Sequence, residues 1–324
     1  SEATKINILK KAKEMGYKQF SYINLPGEAP AAPPAAVPAA KKSEIVVLTG
    51  RYICENHFAA SMIDCLQNET AALGYTTSIR KLLPEELTGR RLPILDPERT
   101  AGLICFEIFD MAYAQALKSL NIPLLFADAP TEIYSGRLGA DLLIMENRTS
   151  VIEVIHHLMK KGKKKIGFVG DIHNCQSFFE RFEALMSCIY CGIPNPLDYS
   201  ICGQRYLDFE NGICSQQEFI GKSLRKMKEL PEVFFCANDS IAEELLQELN
   251  KMGLSIPRDI WVAGFDDSLL SSHLNPPLTT VRIHGREMGF AATHILLSRI
   301  QYPDSKYQTC YIDSEPVYRA STGD

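Results

Sequence analysis

Residues 233–289 read VFFCANDSIAEELLQELNKMGLSIPRDIWVAGFDDSLLSSHLNPPLTTVRIHGREMG, and this stretch decides the fold. Val233–Cys236 is a short apolar run typical of a buried strand, and Trp261–Phe265 is a second such run. Between them, apolar residues recur at helical spacing until Gly253 ends the helix. A strand, a helix and a second strand of these lengths predict a βαβ unit, which implies a parallel sheet.

Polar side chains follow both strands of this unit. Asn238 and Asp239 come after the first strand, and Asp266 and Asp267 come directly after the second. In open α/β sheets, ligands bind outside the carboxyl ends of the strands. We therefore expect a ligand site here, with Asn238 and Asp266 in contact with the ligand. Asp239 is expected to cap the following helix, and Asp267 to cap the local turn.

The chain from Glu44 onwards alternates between strand and helix patterns. Further strands are predicted at Ile45–Leu48, Thr76–Ile79, Gly102–Phe106, Pro123–Phe126, Leu142–Met145, Ile166–Gly170, near Asp198–Ile201 and at Cys310–Val317. Helices are predicted at about Phe58–Leu73, Met111–Leu120, Val151–Lys161, Ser177–Cys191, Cys214–Met227 and Glu287–Ile300. The pattern predicts an α/β fold with two parallel sheets, each covered by helices on both faces.

The composition is that of an ordinary globular protein. The 324 residues are 46% hydrophobic and 23% charged, and they suffice for two domains. No apolar run reaches the roughly 18 residues that span a bilayer, and no signal peptide pattern occurs. The ten cysteines are scattered, which favours reduced thiols in a cytoplasm over a disulfide framework. Because no catalytic or metal-ligand spacing occurs either, we expect no enzyme activity, no metal, no cofactor and no membrane contact.

The charge is unevenly distributed along the chain. Residues 1–42 contain seven lysines and three glutamates, which gives this segment a charge of +4. The whole chain has a charge of −5, so the remainder carries −9. Such an acidic body binds nucleic acid poorly by itself. Any contact with DNA is therefore expected to come from the N-terminal end.

The motifs CAND, GLSIPRD, VAGFDD and PPLTTVR follow one another in residues 233–289. This ordered series resembles the LacI/GalR family of transcription regulators, and the likeness extends from about Glu2 to about Thr322. The resemblance implies a two-lobe body like that of periplasmic binding proteins, with the ligand between the lobes. Lobe one would comprise residues 44–147 plus 284–308, and lobe two residues 148–281 plus 311–324. It also implies a homodimeric repressor that responds to a sugar or a related small-molecule effector.

The N-terminal residues resemble part of the family's DNA-binding headpiece. Residues 1–25 resemble its last helix, and in the family the helices before it enter the major groove of operator DNA. We therefore expect a fragment of a longer regulator. Residues 26–43 form a Pro/Ala-rich linker, in which proline excludes a stable helix. This linker departs from the family's hinge helix and is expected to be extended or disordered.

The resemblance also assigns charged residues to the effector site. Arg181 lies in the segment SFFER, after the strand IGFVGD, where the family has an arginine that grips the effector. The planar guanidinium suits this role because it offers two parallel hydrogen bonds. Asp128 ends the strand PLLFAD in lobe one, where the family also has an aspartate.

Aromatic residues complete the expected site. Asn56-His57-Phe58 resembles the family's Asn-Pro-Phe-Phe, with His57 in place of proline. Phe58 and Phe209 would present flat apolar faces to a sugar ring. Tyr52 is a further candidate ligand contact.

Two other classes of protein compete with this interpretation. A solute-binding protein of a transport system would share the two-lobe fold, and the codons upstream of Ser1 would distinguish a headpiece from a signal peptide. An α/β enzyme would need a catalytic constellation. The residues leave the effector open among sugars, sugar phosphates and nucleobases. They also leave open whether the effector releases DNA or promotes its binding.

Overall fold

The computed structural model describes Lys11 and residues 43–50, 58–131, 138–203, 207–208, 212–213 and 215–324. Apart from Lys11 and Ser43, the expectations for the headpiece and the linker lie outside the described residues. Three of the expected site residues also lie outside them, namely Tyr52, His57 and Phe209. The described residues form parallel sheets with flanking helices, which confirms the predicted α/β class.

The larger sheet has six strands in the order β12-β5-β4-β3-β1-β2, and every neighbouring pair is parallel. The strands are β1 (Glu44–Thr49), β2 (Thr76–Lys81), β3 (Thr100–Phe106), β4 (Leu124–Ala127), β5 (Asp141–Met145) and β12 (Thr309–Ile312). The helices between them are α1 (Phe58–Ala72), α2 (Pro84–Thr88), α3 (Met111–Leu117) and α8 (Gly285–Gln301).

The four central strands of this sheet are almost entirely buried, and their successive side chains point to opposite faces of the sheet. Ile45 and Val47 of β1 pack in one cluster with residues of α1 and α8. Val46 and Leu48 pack in a second cluster with residues of α3. Helices α1 and α8 approach closely at Gly289, where a Cβ atom would meet the backbone of α1. The near-continuous apolar strands predicted from the sequence thus correspond to a sheet covered on both faces.

The smaller sheet has three parallel strands in the order β10-β9-β6. They are β6 (Ile166–Val169), β9 (Val233–Cys236) and β10 (Trp261–Ala263), and their side chains are almost entirely buried. The helices of this part of the chain are α4 (Thr149–Lys160), α5 (Gln176–Ser187), α6 (Gln216–Lys226) and α7 (Asp239–Lys251). Helix α4 packs against α5, and α6 packs against α7. Strand β9, helix α7 and strand β10 are the βαβ unit that the opening stretch predicts.

Two strand predictions need correction. The predicted strand Cys310–Val317 is two strands, since β12 pairs with β5, whereas β13 (Ser314–Val317) pairs antiparallel with β11 (Thr280–Ile283). The predicted strand near Asp198–Ile201 is instead a 3-10 turn at Pro196–Tyr199, after which Ile201 makes a single parallel bridge. Proline at the first position of this turn and the Asn195 side chain, which accepts from the Leu197 amide at 3.2 Å, favour the turn over a strand.

Short elements complete the described chain. Strands β7 (Leu207–Asp208) and β8 (Gly212–Ile213) pair antiparallel. Further 3-10 turns lie at Lys118–Leu120, Cys188–Cys191, Leu269–Ser272 and Ala320–Thr322. None of the helices in the described part of the chain is long and apolar enough to cross a membrane.

Candidate functional site

Arg181 lies on helix α5 and is almost completely buried, with 2% of its surface exposed. The helix is anchored by Phe182, Ala184 and Leu185, which belong to the core beneath the smaller sheet. Burial lowers the pKa of Arg181 from its ordinary value, and the charges of Asp266 and other nearby acids act against this shift. An arginine keeps its charge under such conditions, so the helix carries a buried cation.

Three groups orient the Arg181 guanidinium. Its Nε donates to Asn147 Oδ1 at 2.9 Å, and its Nη1 donates to the carbonyl of Ala237 at 2.6 Å. Nη1 also lies 3.7 Å from Asp266 Oδ1. Within the described part of the chain, these contacts leave Nη2 without a hydrogen-bond acceptor. The nitrogen Nη2 is therefore a candidate hydrogen-bond donor to a ligand in the cleft.

Asp266 follows strand β10 with a φ of 119°, a conformation that costs free energy for a residue with a side chain. Its amide donates to the carbonyl of Val281 at 2.8 Å, which holds the strained backbone in place. Burial raises the pKa of Asp266 well above its usual range. The nearby Arg181 opposes this rise in pKa, whereas the charges of Asp239 and Glu107 add to it.

Asp128 follows strand β4 of the larger sheet and has a φ of 65°. Its Oδ1 accepts from the amide of Ala129 at 2.8 Å and from the amide of Ser177 at 3.3 Å. The second contact places the carboxyl group at the N-terminus of α5, where the helix dipole favours negative charge. Burial nevertheless raises the pKa of Asp128. The sequence placed Asp128 near Arg181, and the structure brings both into one cleft.

Asn238 is the residue that caps helix α7, and the expectation that Asp239 caps it is wrong. Asn238 Oδ1 accepts from the amide of Ile241 at 3.0 Å, and its side chain also lines the cleft. Asp239 is buried beneath the site, where it accepts from Thr280 Oγ1 at 2.6 Å and from the amide of Ser268 at 2.8 Å. Burial raises the pKa of Asp239 to about 6.

Asp267 also differs from its expected role as a turn cap. Its carboxylate accepts from Arg282 Nε at 2.7 Å and from Arg319 Nη2 at 2.6 Å. Burial alone would raise the pKa of Asp267, but the hydrogen bonds from Arg319 and Arg282 bring the pKa below its usual value. This ion-pair network joins β10 to the segments around β11 and β13. Its partners are 15 and 52 residues away along the chain, so local sequence gave no signal of it.

Phe58 begins helix α1 and lines the same cleft. Its ring packs edge-on against Phe106, with the ring centroids 5.8 Å apart. The cleft encloses about 440 Å³ of empty space, counting its opening to solvent. Five expected residues line it, namely Phe58, Asp128, Arg181, Asn238 and Asp266.

Several residues of the cleft were not anticipated. Those that line it are Phe106, Glu107, Phe109, Met145, Asn174, Cys175, Ser177 and Phe178. Asn147 was also missed, although it is fully buried and holds Arg181. The available signal was its position just after the predicted strand Leu142–Met145, at a carboxyl end like that of Asn238.

The side chains that line the cleft can bind a small molecule through hydrogen bonds and apolar contacts. Acidic oxygens, one arginine, two amides and several phenyl rings line it, and these groups suit a ligand with hydroxyl or N–H donors and apolar faces. Among the described residues, no group of three or more His, Cys, Asp or Glu is placed to hold a metal ion.

Comparison with known proteins matches a family model described as a periplasmic-binding-protein-like domain to residues 155–322, just over half of the chain. The repressor PurR of Aliivibrio salmonicida is 26% identical over 297 residues, which cover 89% of this chain and 85% of that protein. The regulator GalR of Streptococcus thermophilus is 25% identical and covers 94% of this chain and 85% of its own length. The ribose operon repressor of Haemophilus influenzae is 35% identical over 206 residues, 63% of this chain and 58% of its own.

Solved structures share the fold at lower identity. The complex of the transcriptional regulator CelR with cellobiose superposes with a TM-score of 0.71 at 16% identity, covering 99% of this chain and 91% of CelR. A lac repressor dimer bound to operator superposes with a TM-score of 0.68 at 20% identity, covering 86% of this chain and 94% of the lac repressor chain. A LacI family regulator from Enterococcus faecium with bound ribose has a TM-score of 0.64 at 21% identity, covering 86% of this chain and 98% of that regulator. The chain therefore belongs to the periplasmic-binding-protein-like family and, within it, to the LacI/GalR regulators.

Proposed function

We propose that this chain binds a small-molecule effector in the cleft around Arg181 and that effector binding controls transcription, most simply by repression. The observation that carries the proposal is the buried, oriented Arg181 beside Asp266, with Nη2 as a candidate donor to a ligand. A buried cation is costly unless it is paired and hydrogen-bonded, and buried ionisable groups held by specific partners in a cleft are typical of functional sites. The two repressors and the regulator named above, which share sequence along most or much of this chain, support a function in transcription control.

The division into two lobes is part of the proposal. Lobe one comprises residues 44–147 plus 284–308, and lobe two comprises 148–281 plus 311–324. Phe58 and Asp128 reach the cleft from elements of the larger sheet, whereas Arg181, Asn238 and Asp266 reach it from elements of the smaller sheet. A ligand that bridges these two sets would bind one relative arrangement of the lobes more tightly than others. Such differential affinity is what an effector needs in order to shift a conformational equilibrium.

The charges of the cleft favour an uncharged, hydroxyl-rich effector. The acidic residues among the described lining are Glu107, Asp128 and Asp266, against the single basic residue Arg181. A phosphate or carboxylate would compete with Asp266 for Arg181 and would approach two further acids. A sugar hydroxyl can donate to these acids and accept from Nη2, and phenyl rings such as Phe58 can cover its apolar face. We therefore favour a sugar over a sugar phosphate. The ribose and cellobiose bound by structural neighbours agree with this preference.

The remaining partners follow from the same function. We propose a cytoplasmic homodimer that contacts operator DNA through a headpiece N-terminal to the body. A separate DNA-binding headpiece is consistent with the acidic body, because the net negative charge of the body repels DNA.

DNA footprinting of the full-length natural gene product on its own upstream region tests the regulator function. Occupancy of a defined site that changes when the effector is added would support the proposal. The competing hypothesis, a solute-binding protein for transport, predicts no protected site. The variant Arg181→Ala serves as the matched control, since we expect it to bind the same DNA site but to lose the response to the effector.

A further inference from the structure

Glu180 precedes Arg181 on helix α5 and is as deeply buried, with 2% of its surface exposed. Its Oε2 accepts from Asn147 Nδ2 at 2.9 Å. Its Oε1 accepts from the Tyr311 hydroxyl and from Gln176 Nε2, both at 2.8 Å. Burying a carboxylate is costly unless such donors surround it. Direct contact with an effector does not explain why Glu180 is buried and hydrogen-bonded in this way, because Glu180 does not line the cleft.

The donors to Glu180 come from the larger sheet as well as from its own helix. Tyr311 lies on β12 and is paired with Ile144 of β5, and Asn147 follows β5 by two residues. Glu180 itself lies on a helix packed with the elements of the smaller sheet. One carboxylate thus joins a helix of the smaller sheet to two neighbouring strands of the larger sheet. Burial raises the pKa of Tyr311 to about 12, and the hydrogen bond to Glu180 adds to this rise, so the phenol stays neutral and donates.

The contact between Glu180 and Asn147 fixes which way the Asn147 amide points. A carboxylate only accepts hydrogen bonds, so the NH₂ end of the amide must face Glu180. The oxygen of the amide then faces Arg181 Nε, which only donates. A flipped amide would place its NH₂ group against the Arg181 Nε–H donor and its oxygen against the Glu180 carboxylate. Neither hydrogen bond would then form. The orientation of the Arg181 guanidinium therefore depends on Glu180, although the two side chains are not themselves hydrogen-bonded to each other.

We propose that Glu180 and Tyr311 are positioning residues for the effector site: they hold the Asn147 amide in the one orientation that presents Arg181 to the ligand. Because both side chains also join the larger sheet to helix α5, the arginine is presented only in the arrangement in which these contacts are intact. The relevance of this device to effector binding rests on the proposed function of Arg181. The chain of contacts itself can be measured without a ligand.

The test measures hydrogen exchange of the Arg181 Nε–H group by NMR in the ligand-free protein. In the wild type this proton is buried and bonded to Asn147, so its exchange is slow. The variant Tyr311→Phe removes one hydroxyl and leaves Gln176 and Asn147 bonded to Glu180. We expect its Nε–H to exchange about threefold faster or more. The matched control is Tyr307→Phe, which removes the hydroxyl of an exposed tyrosine and keeps its ring over Arg299.

The variant Glu180→Leu tests the same contacts from the other end. It removes the carboxylate that accepts from Asn147 Nδ2 at 2.9 Å and leaves the longer contact to Ser177 Oγ at 3.3 Å, and we expect at least about tenfold faster Nε–H exchange. Melting temperatures are measured alongside, because a purely structural role would lower them without a selective effect on the Arg181 resonance. Wild-type exchange at Arg181 in folded Tyr311→Phe, or equal acceleration by Tyr307→Phe, would overturn the proposal. A failure of the transcriptional function would leave this result untouched, so the two proposals can fail separately.

Discussion

The guanidinium carbon of Arg181 lies 3.5 Å from the centroid of the Phe265 ring. Phe265 is fully buried immediately before Asp266, so the ring is fixed by the core while the next residue forms the site. A planar cation stacked on an aromatic face is held in one plane, which a lysine ammonium cannot reproduce. Together with the bonds to Asn147 and Ala237, this stacking orients the arginine before any ligand arrives.

The first prediction concerns this arginine. Arg181→Ala removes a charge-assisted hydrogen bond to the effector, worth about 1.5–3 kcal/mol, and should weaken binding at least tenfold, to about 150-fold at most. Arg181→Lys should lose nearly as much, because it keeps the charge but not the stacked fork. Isothermal titration calorimetry measures both, with Arg258→Ala as the control in an exposed ion pair remote from the cleft. Wild-type affinity in folded Arg181→Ala would remove Arg181 from the site.

Much of the site followed from the sequence because it depends on local signals. Asp128, Asn238 and Asp266 each follow an apolar run, and the carboxyl ends of parallel strands face one another across such folds. Arg181 needed the additional resemblance to a known family. These four residues do line one cleft in the structure.

Other features could not be predicted because they depend on which distant segments pair. Asp267 accepts a hydrogen bond from Arg319, which lies 52 residues later in the chain, and no local sequence pattern predicts that partner. The end of the chain reads as a single strand, yet its two halves pair with β5 and β11 in different sheets. Asn147 is a short polar residue after a strand, and only the fold shows that it connects Arg181 to Glu180.

A second prediction follows from the buried carboxyl group of Asp239. Its pKa is about 6 in the folded chain against 3.8 ordinarily, so the folded state holds the proton more tightly than the unfolded state. Its stabilising contribution is therefore full below about pH 4 and is lost as the pH rises through about 6. Over this window the free energy of unfolding should fall on the order of 3 kcal/mol more in the wild type than in Asp239→Asn. Urea unfolding at several pH values measures the difference, and parallel pH profiles for the two proteins would contradict it.

The third prediction concerns the buried ion pair at the end of helix α8. Arg299 donates to both oxygens of Asp141, at 2.7 and 3.0 Å, and both side chains are buried. Asp141→Ala leaves Arg299 buried without its counter-charge, and we expect a loss of about 3–5 kcal/mol in the free energy of unfolding. Arg258→Ala, in an exposed pair, should leave the unfolding midpoint unchanged. An Asp141→Ala midpoint equal to that of this control would show that the pair does not stabilise the fold.

The fourth prediction concerns assembly. We expect a homodimer that does not depend on disulfides, because the cysteines in the described residues are all free and five of the eight are buried or have strongly raised thiol pKa values. Burial raises each of these pKa values, which makes the thiolate needed for oxidation scarce. Sedimentation velocity with and without reductant measures the mass in solution. A monomer at micromolar concentration, or a dimer that dissociates on reduction, would refute this expectation.

The most direct test of the central claim is a thermal-shift panel on the wild type, Arg181→Ala and Arg258→Ala. The panel contains uncharged pentoses, hexoses and disaccharides, the matching sugar phosphates and uronic acids, and purine bases. We predict that an uncharged sugar raises the melting temperatures of the wild type and Arg258→Ala but not that of Arg181→Ala, since ligand at 100 times its Kd stabilises the folded state by about 2.7 kcal/mol. A sugar phosphate or uronic acid that stabilises the wild type more than its uncharged parent, or any ligand that stabilises Arg181→Ala as much as the wild type, would contradict the account.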